Sequence, residues 1–152
     1  MLKKSGLVIL IGVILALFFQ HTLPENTATV ATPEGDLEVE VAESPAEQRE
    51  GLMNRSEVPL DGLLFVYDQP SELVFWMKDT SIPLDIVFLD RNFTVLNVES
   101  ADPETGVPPE DLEKYRSSGL ALYALEIPQG KARELGLEPG VETEVEIDQG
   151  LI

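Results

Sequence analysis

The chain has 152 residues, enough for one domain and too few for two of ordinary size. It contains no cysteine, which excludes disulfides, thiolate metal sites, thiol nucleophiles and a lipid anchor on an N-terminal cysteine. Asp and Glu number 28 against 10 Lys and Arg, a formal net charge of -18, and a surface of that sign repels nucleic acid and anionic lipid headgroups alike. Salt screens such self-repulsion, so the composition reads as halophilic.

Lys3 and Lys4 precede an uncharged stretch whose core, Gly6 to Phe19, is wholly apolar. With its flanks it is just long enough to cross a bilayer, which needs about 17–25 residues. The end of the core and the residues just after it do not fit a cleavage site: Phe18, Phe19, Gln20, His21 and Thr22 are not small residues at alternate positions. Residues 1–23 therefore read as an uncleaved signal anchor, a transmembrane helix, with a cleaved signal peptide and secretion as the alternative. The lysines hold the N-terminus in the cytoplasm, which places the remainder outside the cell membrane. Residues 24–35, PENTATVATPEG, lack hydrophobic periodicity and read as a flexible linker to a globular domain over 36–152.

Within that domain Leu37, Val39 and Val41 alternate with acids, a half-buried strand. Ser44-Pro45-Ala46-Glu47 is a capping box with proline at the first helical position, predicting a short helix to about Met53. Gly62–Tyr67 and Leu73–Met77 read as strands joined by a turn at Asp68–Ser71. Ile82–Leu89 and Phe93–Val98 form a hairpin with its tip near Arg91 and Asn92. Ser100–Ser118, acidic and proline-bearing, is a surface loop. Leu120–Ile127 is a strand, Gly130–Leu135 one or two helical turns, and Glu142–Ile147 a last strand. Many short strands with one or two short helices predict a mainly β fold, a compact sandwich or partly open barrel.

Three segments stand out together: Arg49-Glu50-Gly51-Leu52-Met53-Asn54-Arg55, then Phe75-Trp76-Met77-Lys78-Asp79-Thr80-Ser81-Ile82-Pro83-Leu84-Asp85-Ile86, and Tyr123-Ala124-Leu125-Glu126 leading to Gly130. In these the chain resembles the domain of unknown function 192 family, over nearly all of Leu37 to Ile147. The resemblance implies a compact, mainly β fold and no established activity. Two departures matter. The family usually has asparagine where this chain has Asp79, and glycine in the hairpin near Asn92.

The strand Ile82–Leu89 looks apolar on both faces, yet it carries Asp85. Glu126 shares a face with Leu122 and Ala124, and Lys78 follows Val74 and Trp76. Buried charges must be paired, so Lys78, Asp85 and Glu126, with Arg49, Trp76 and Asp79 nearby, are expected to converge in a polar cluster. That cluster is either a structural ion-pair network or a binding site. Asp85 with Glu126, or Asp79 with Asp85, supplies the pair of acids that a carboxylate hydrolase needs. The only histidine, His21, lies beside the membrane, so no histidine-based triad forms within one chain. Asp102, Glu104, Glu110 and Asp111 match no calcium loop, and no phosphate-binding loop occurs, so no metal or cofactor is expected. Asn54-Arg55-Ser56 and Asn92-Phe93-Thr94 match the N-glycosylation pattern. The expected role is a membrane-anchored, extracytoplasmic module that binds a small ligand or an envelope partner. A hydrolase acting on an envelope substrate and a structural partner in a membrane assembly are the alternatives.

Overall fold

The computed structural model describes residues 26–148. The predicted anchor at 1–23 and the first two linker residues lie outside them. Among the described residues no helix is long and apolar enough to cross a membrane. The strands are β1 (Thr27–Thr32), β2 (Gly35–Ala42), β3 (Gly62–Ser71), β4 (Val74–Phe75), β5 (Leu84–Leu89), β6 (Val95–Ala101), β7 (Tyr115–Arg116), β8 (Ala121–Pro128) and β9 (Glu144–Asp148). Two short helices, α1 (Pro45–Glu50) and α2 (Lys131–Glu134), complete the fold.

Seven strands form one sheet in the order β6-β5-β8-β3-β2-β1-β9. Only β2 and β3 run parallel, because α1 and the chain after it carry the crossover between them. The sheet curls until its ends meet. Val95 donates its N–H to Val141 O and Gly140 donates to Val95 O, both at 2.8 Å, and Thr94 bridges Glu142. The predicted mainly β fold is therefore a partly closed barrel.

Its interior holds Val30, Val39, Leu64, Val87, Leu125 and Ile127, with Ala132, Leu135 and Leu137 from α2 and beyond packed on the same cluster. The other face of β5, β8 and β3 is buried too. Leu63, Phe65, Ile86, Phe88 and Ala124 pack there against Leu52, Phe75, Met77 and Tyr115. Phe75 sets its ring edge-to-face with Phe65 at 4.9 Å and Phe88 at 5.6 Å, a favourable aromatic geometry. All six residues of β5 are buried, Asp85 included, as apolar residues on both faces of the strand predict.

The capping box at α1 forms as read. Ser44 Oγ accepts from Glu47 N, and the Glu47 carboxylate accepts from Ser44 N at 2.8 Å, which holds the Glu47 pKa below the usual carboxylate range. Gly51 ends the helix with φ +48 directly over the Phe65 ring; a Cβ there would lie 3.2 Å from it.

Several expectations need correction. Thr27–Thr32, inside the expected linker, is strand β1; Ala28 and Val30 face the barrel interior, but side chains this small give a weak alternating signal. Asp68–Ser71 is not a turn; β3 runs through it with a register shift against β8 between Val66 and Ser71. Residues 73–77 do not pair with β3. Their strand shrinks to β4, which pairs with β7 inside the expected surface loop to make a separate two-stranded ribbon. At the β5–β6 hairpin Asp90 Oδ1 accepts the N–H groups of Asn92 and Thr94. That hairpin keeps its expected tip at Arg91 and Asn92, with the left-handed position on Phe93, φ 59.

Candidate functional site

The sequence segments 54–56 and 77–81 meet on the covering layer outside the barrel. Asn54 donates its backbone N–H to Asp79 O at 2.8 Å, tying the two turns together. Thr80 donates its N–H to Met77 O, and its hydroxyl donates to Lys78 O at 3.0 Å. Asn54 and Asp79 both hold left-handed backbones, φ 59 and φ 50. Asparagine and aspartate are the non-glycine residues that best tolerate this region, since their short polar side chains bond locally.

Facing these turns is the loop 104–112. Between them lies a cleft of about 640 Å³, whose walls include Asn54, Arg55, Lys78, Thr80, Glu104 and Pro108. Glu104 is held in place by the Glu113 N–H, which both its carboxylate oxygens accept. Arg55 is bonded to Glu40 Oε2 at 2.9 Å. Lys78 makes no ion pair among the described residues; its Nζ lies 5.7 Å from the Trp76 ring. The cleft is therefore mixed in character, apolar at its Met77, Pro108 and Leu112 side, and carries the Lys78 ammonium, which forms no direct ion pair although the Asp79 and Glu104 carboxylates share the lining.

The expected cluster does not form as one network. Asp85 is buried, but its partners are Ser100 Oγ at 2.8 Å and the backbone N–H groups of Gly130, 2.8 Å, and Ala132, 3.1 Å. It caps the start of α2 from a neighbouring strand, supplying the acceptor that Gly130 at the N-cap lacks. Glu126 is buried on the opposite face. Asp85 stands opposite Ile127, whereas Glu126 stands opposite Ile86. Cross-strand partners share a face and successive residues alternate, so the two acids cannot flank one cleft. Glu126 Oε2 has no hydrogen-bond partner, and burial pushes the carboxyl up to about 8. It is mainly a neutral acid at pH 7, which removes its need for a cation. Tyr67 lies close enough to feel it. Burial first, and the Glu126 charge second, push the Tyr67 phenol up to about 12. Arg49 is exposed in the last turn of α1 and joins neither acid. Of the six cluster candidates, Lys78 and Asp79 line the cleft, and Trp76 lies beside Lys78 but outside the lining. Arg49, Asp85 and Glu126 stand apart.

Trp76 is 40% exposed, while Phe75 and Met77 on either side are buried. Both Asn54 and Asn92 are exposed, the first on the cleft wall and the second at the hairpin tip. Sequence reading missed the wall contributed by Glu104–Pro109. No periodic pattern marks it, and only the packing of the loop against the 77–81 turn reveals it.

The molecule is thus a small, partly closed β barrel with a cleft of mixed polar and apolar lining on its covering layer. The sequence profile of the domain of unknown function 192 (DUF192) family, described as an "uncharacterized ACR", matches residues 26–145, and the chain belongs to that family. A crystal structure of a protein of unknown function from Novosphingobium aromaticivorans is similar at 36% identity and TM-score 0.64, over 78% of this chain and 83% of that one. Another, from Sinorhizobium meliloti and described as a "putative transcription regulator", is similar at 30% identity and TM-score 0.66, over 79% of this chain and 92% of that one. No curated protein matches the chain.

Proposed function

We propose that this domain is the ligand-binding head of a membrane-anchored envelope protein, and that a small polar ligand with an anionic group occupies the cleft beside Lys78. The observation that carries this reading is the cleft itself. Two hydrogen-bonded turns with left-handed residues at Asn54 and Asp79 aim polar groups and an unpaired ammonium into a space large enough for a small molecule. Left-handed non-glycine residues cost free energy and recur at ligand sites. Paired-carboxylate hydrolysis finds less support, because Asp85 is committed to backbone N–H groups and Glu126 is on the other face of the sheet.

The anchored, extracytoplasmic placement rests on the apolar run and its flanking lysines. An N-linked glycan on Asn92, if the host adds one, sits at the hairpin tip. The "transcription regulator" description of the Sinorhizobium protein is not carried over, since a net charge of -18 opposes the phosphate backbone.

The test is a thermal-shift screen of small anionic metabolites against the full-length protein in mild detergent, run in parallel on Lys78→Met and Asn54→Ala. The expected result is a compound class that raises the wild-type melting temperature and loses its effect on Lys78→Met. Compounds that stabilise both proteins equally place the ligand elsewhere. Alkaline carbonate washing of membranes tests the anchor, and release of the full-length chain into the supernatant overturns it.

A further inference from the structure

The β4–β7 ribbon carries a surface unlike the rest of this acidic chain. Val74 and Arg116 stand opposite each other in register, and Trp76 and Lys114 continue the two segments on the same outward side. The ribbon is pinned to the domain: Ser117 donates its N–H to Leu73 O at 3.0 Å, and Leu73 donates its own to Ser117 Oγ at 2.9 Å. Val74 is 45% exposed and Trp76 40%. Lys114 Nζ lies 4.2 Å from the centre of the Trp76 ring. Neither Lys114 nor Arg116 forms an ion pair among the described residues, although the chain has 28 carboxylates to offer. Both cations stay exposed and free of carboxylate partners on one face, beside the Trp76 ring and Val74.

From this we infer that the outer face of the β4–β7 ribbon docks an acidic segment of a protein partner. The side-chain types are those that carry interface energy: a tryptophan and an arginine around an exposed aliphatic residue, which together suit a chain bearing carboxylates and an apolar side chain. Arg116 takes a carboxylate in a two-pronged hydrogen bond, Lys114 supplies a second positive charge, and Val74 with the indole offers the apolar floor. The net charge does not forbid this. At physiological ionic strength the screening length is about 8 Å, which mutes distant acids, while nearby Glu113 is engaged by the Tyr115 hydroxyl at 3.3 Å and Glu104 by the Glu113 N–H. Binding is therefore steered by the patch and weakened by salt. This surface adjoins the cleft through Lys78, which lines the cleft and lies 5.7 Å from the Trp76 ring, but neither Lys114 nor Arg116 lines it.

Trp76 is the only tryptophan, so its emission reports on this face and on Lys78 beside it, and Lys78→Met titrated in parallel separates the two. The experiment titrates the full-length protein in mild detergent with a random copolymer of glutamate and tyrosine, exciting at the red edge where tyrosine is silent. A carboxylate that draws Lys114 off the ring changes the emission. The expected result is a saturable change, tighter with the copolymer than with poly-L-glutamate, and weakened at least about tenfold by the double variant Lys114→Glu, Arg116→Glu. Both positions are exposed, and circular dichroism of the variant confirms its fold. Absence of a saturable change overturns the inference, as does equal affinity in the folded double variant. Equal or tighter binding of polygalacturonate, single-stranded polynucleotide or phosphatidylglycerol vesicles also overturns it, assigning the face to a glycan, a nucleic acid or a membrane instead. Binding at the ribbon survives Lys78→Met and is lost in the Lys114→Glu, Arg116→Glu variant; the reverse pattern assigns the change to the cleft and overturns the inference.

Discussion

Asp85 and Glu126 sit on adjacent strands one register position apart, yet they face opposite sides of the sheet. One is a fully hydrogen-bonded helix cap and the other an unpartnered acid with a raised pKa. Two buried carboxylates that look alike in sequence therefore respond to different perturbations.

Asp85→Ala removes the acceptor for two backbone N–H groups and leaves them in a partly buried site. Hydrogen bonds to a charged group are worth about 1.5–3 kcal/mol each, but neighbouring bonds do not add fully, so the expected loss is about 2–4 kcal/mol in denaturant melts. Lys78→Met changes stability by less than about 0.5 kcal/mol, and the double variant Lys78→Met, Asp85→Leu recovers none of the loss, because no ion pair links the two residues. Recovery in the double variant would restore the ion-pair network.

Glu126 makes stability depend on pH in an unusual direction. Its folded pKa, about 8, lies above the ordinary value of 4.5. Between those values the folded state holds a proton that the unfolded chain has released. The contribution is full below pH 4.5 and is lost as pH rises towards 8, with a slope of up to about 1.4 kcal/mol per pH unit. Glu126→Gln removes that slope. Urea midpoints of both proteins across this window check it, and parallel curves would contradict the raised pKa.

Asp79→Asn keeps the side-chain shape and suits the left-handed backbone better. It also removes one negative charge from an acidic surface. The expected gain is about 0.5 kcal/mol, read as a higher denaturant midpoint. A loss of stability would mean that the Asp79 carboxylate has a role its backbone does not account for.

The charge excess predicts a salt response. Among the described residues only Arg55–Glu40 and Lys131–Glu134 pair directly, so most carboxylates repel one another. Moving from low to molar KCl is expected to stabilise the protein by about 1 kcal/mol or more, a rise in Tm of roughly 4 °C per kcal/mol. A flat or falling Tm across the salt series removes the halophilic reading.

What the sequence alone determined follows from local rules. The Ser44–Glu47 capping box, the doubly buried strand Leu84–Leu89, the hairpin at Asp90 and the mainly β class all depend on patterns within a few residues, which the chain spells out directly. The family was legible for a similar reason, in the contiguous run from Phe75 to Ile86. Only the tertiary structure decided what the charged residues do. A buried charge announces that it needs a partner without naming one. The partners of Asp85 are main-chain N–H groups some 45 and 47 residues away, which carry no side-chain signature. The separation of Asp85 from Glu126 comes from strand register, set when β5 pairs with β8. The ribbon depended on pairing two-residue strands about 40 positions apart, too short to show a period, and that pairing left Trp76 exposed and brought Lys114 over it.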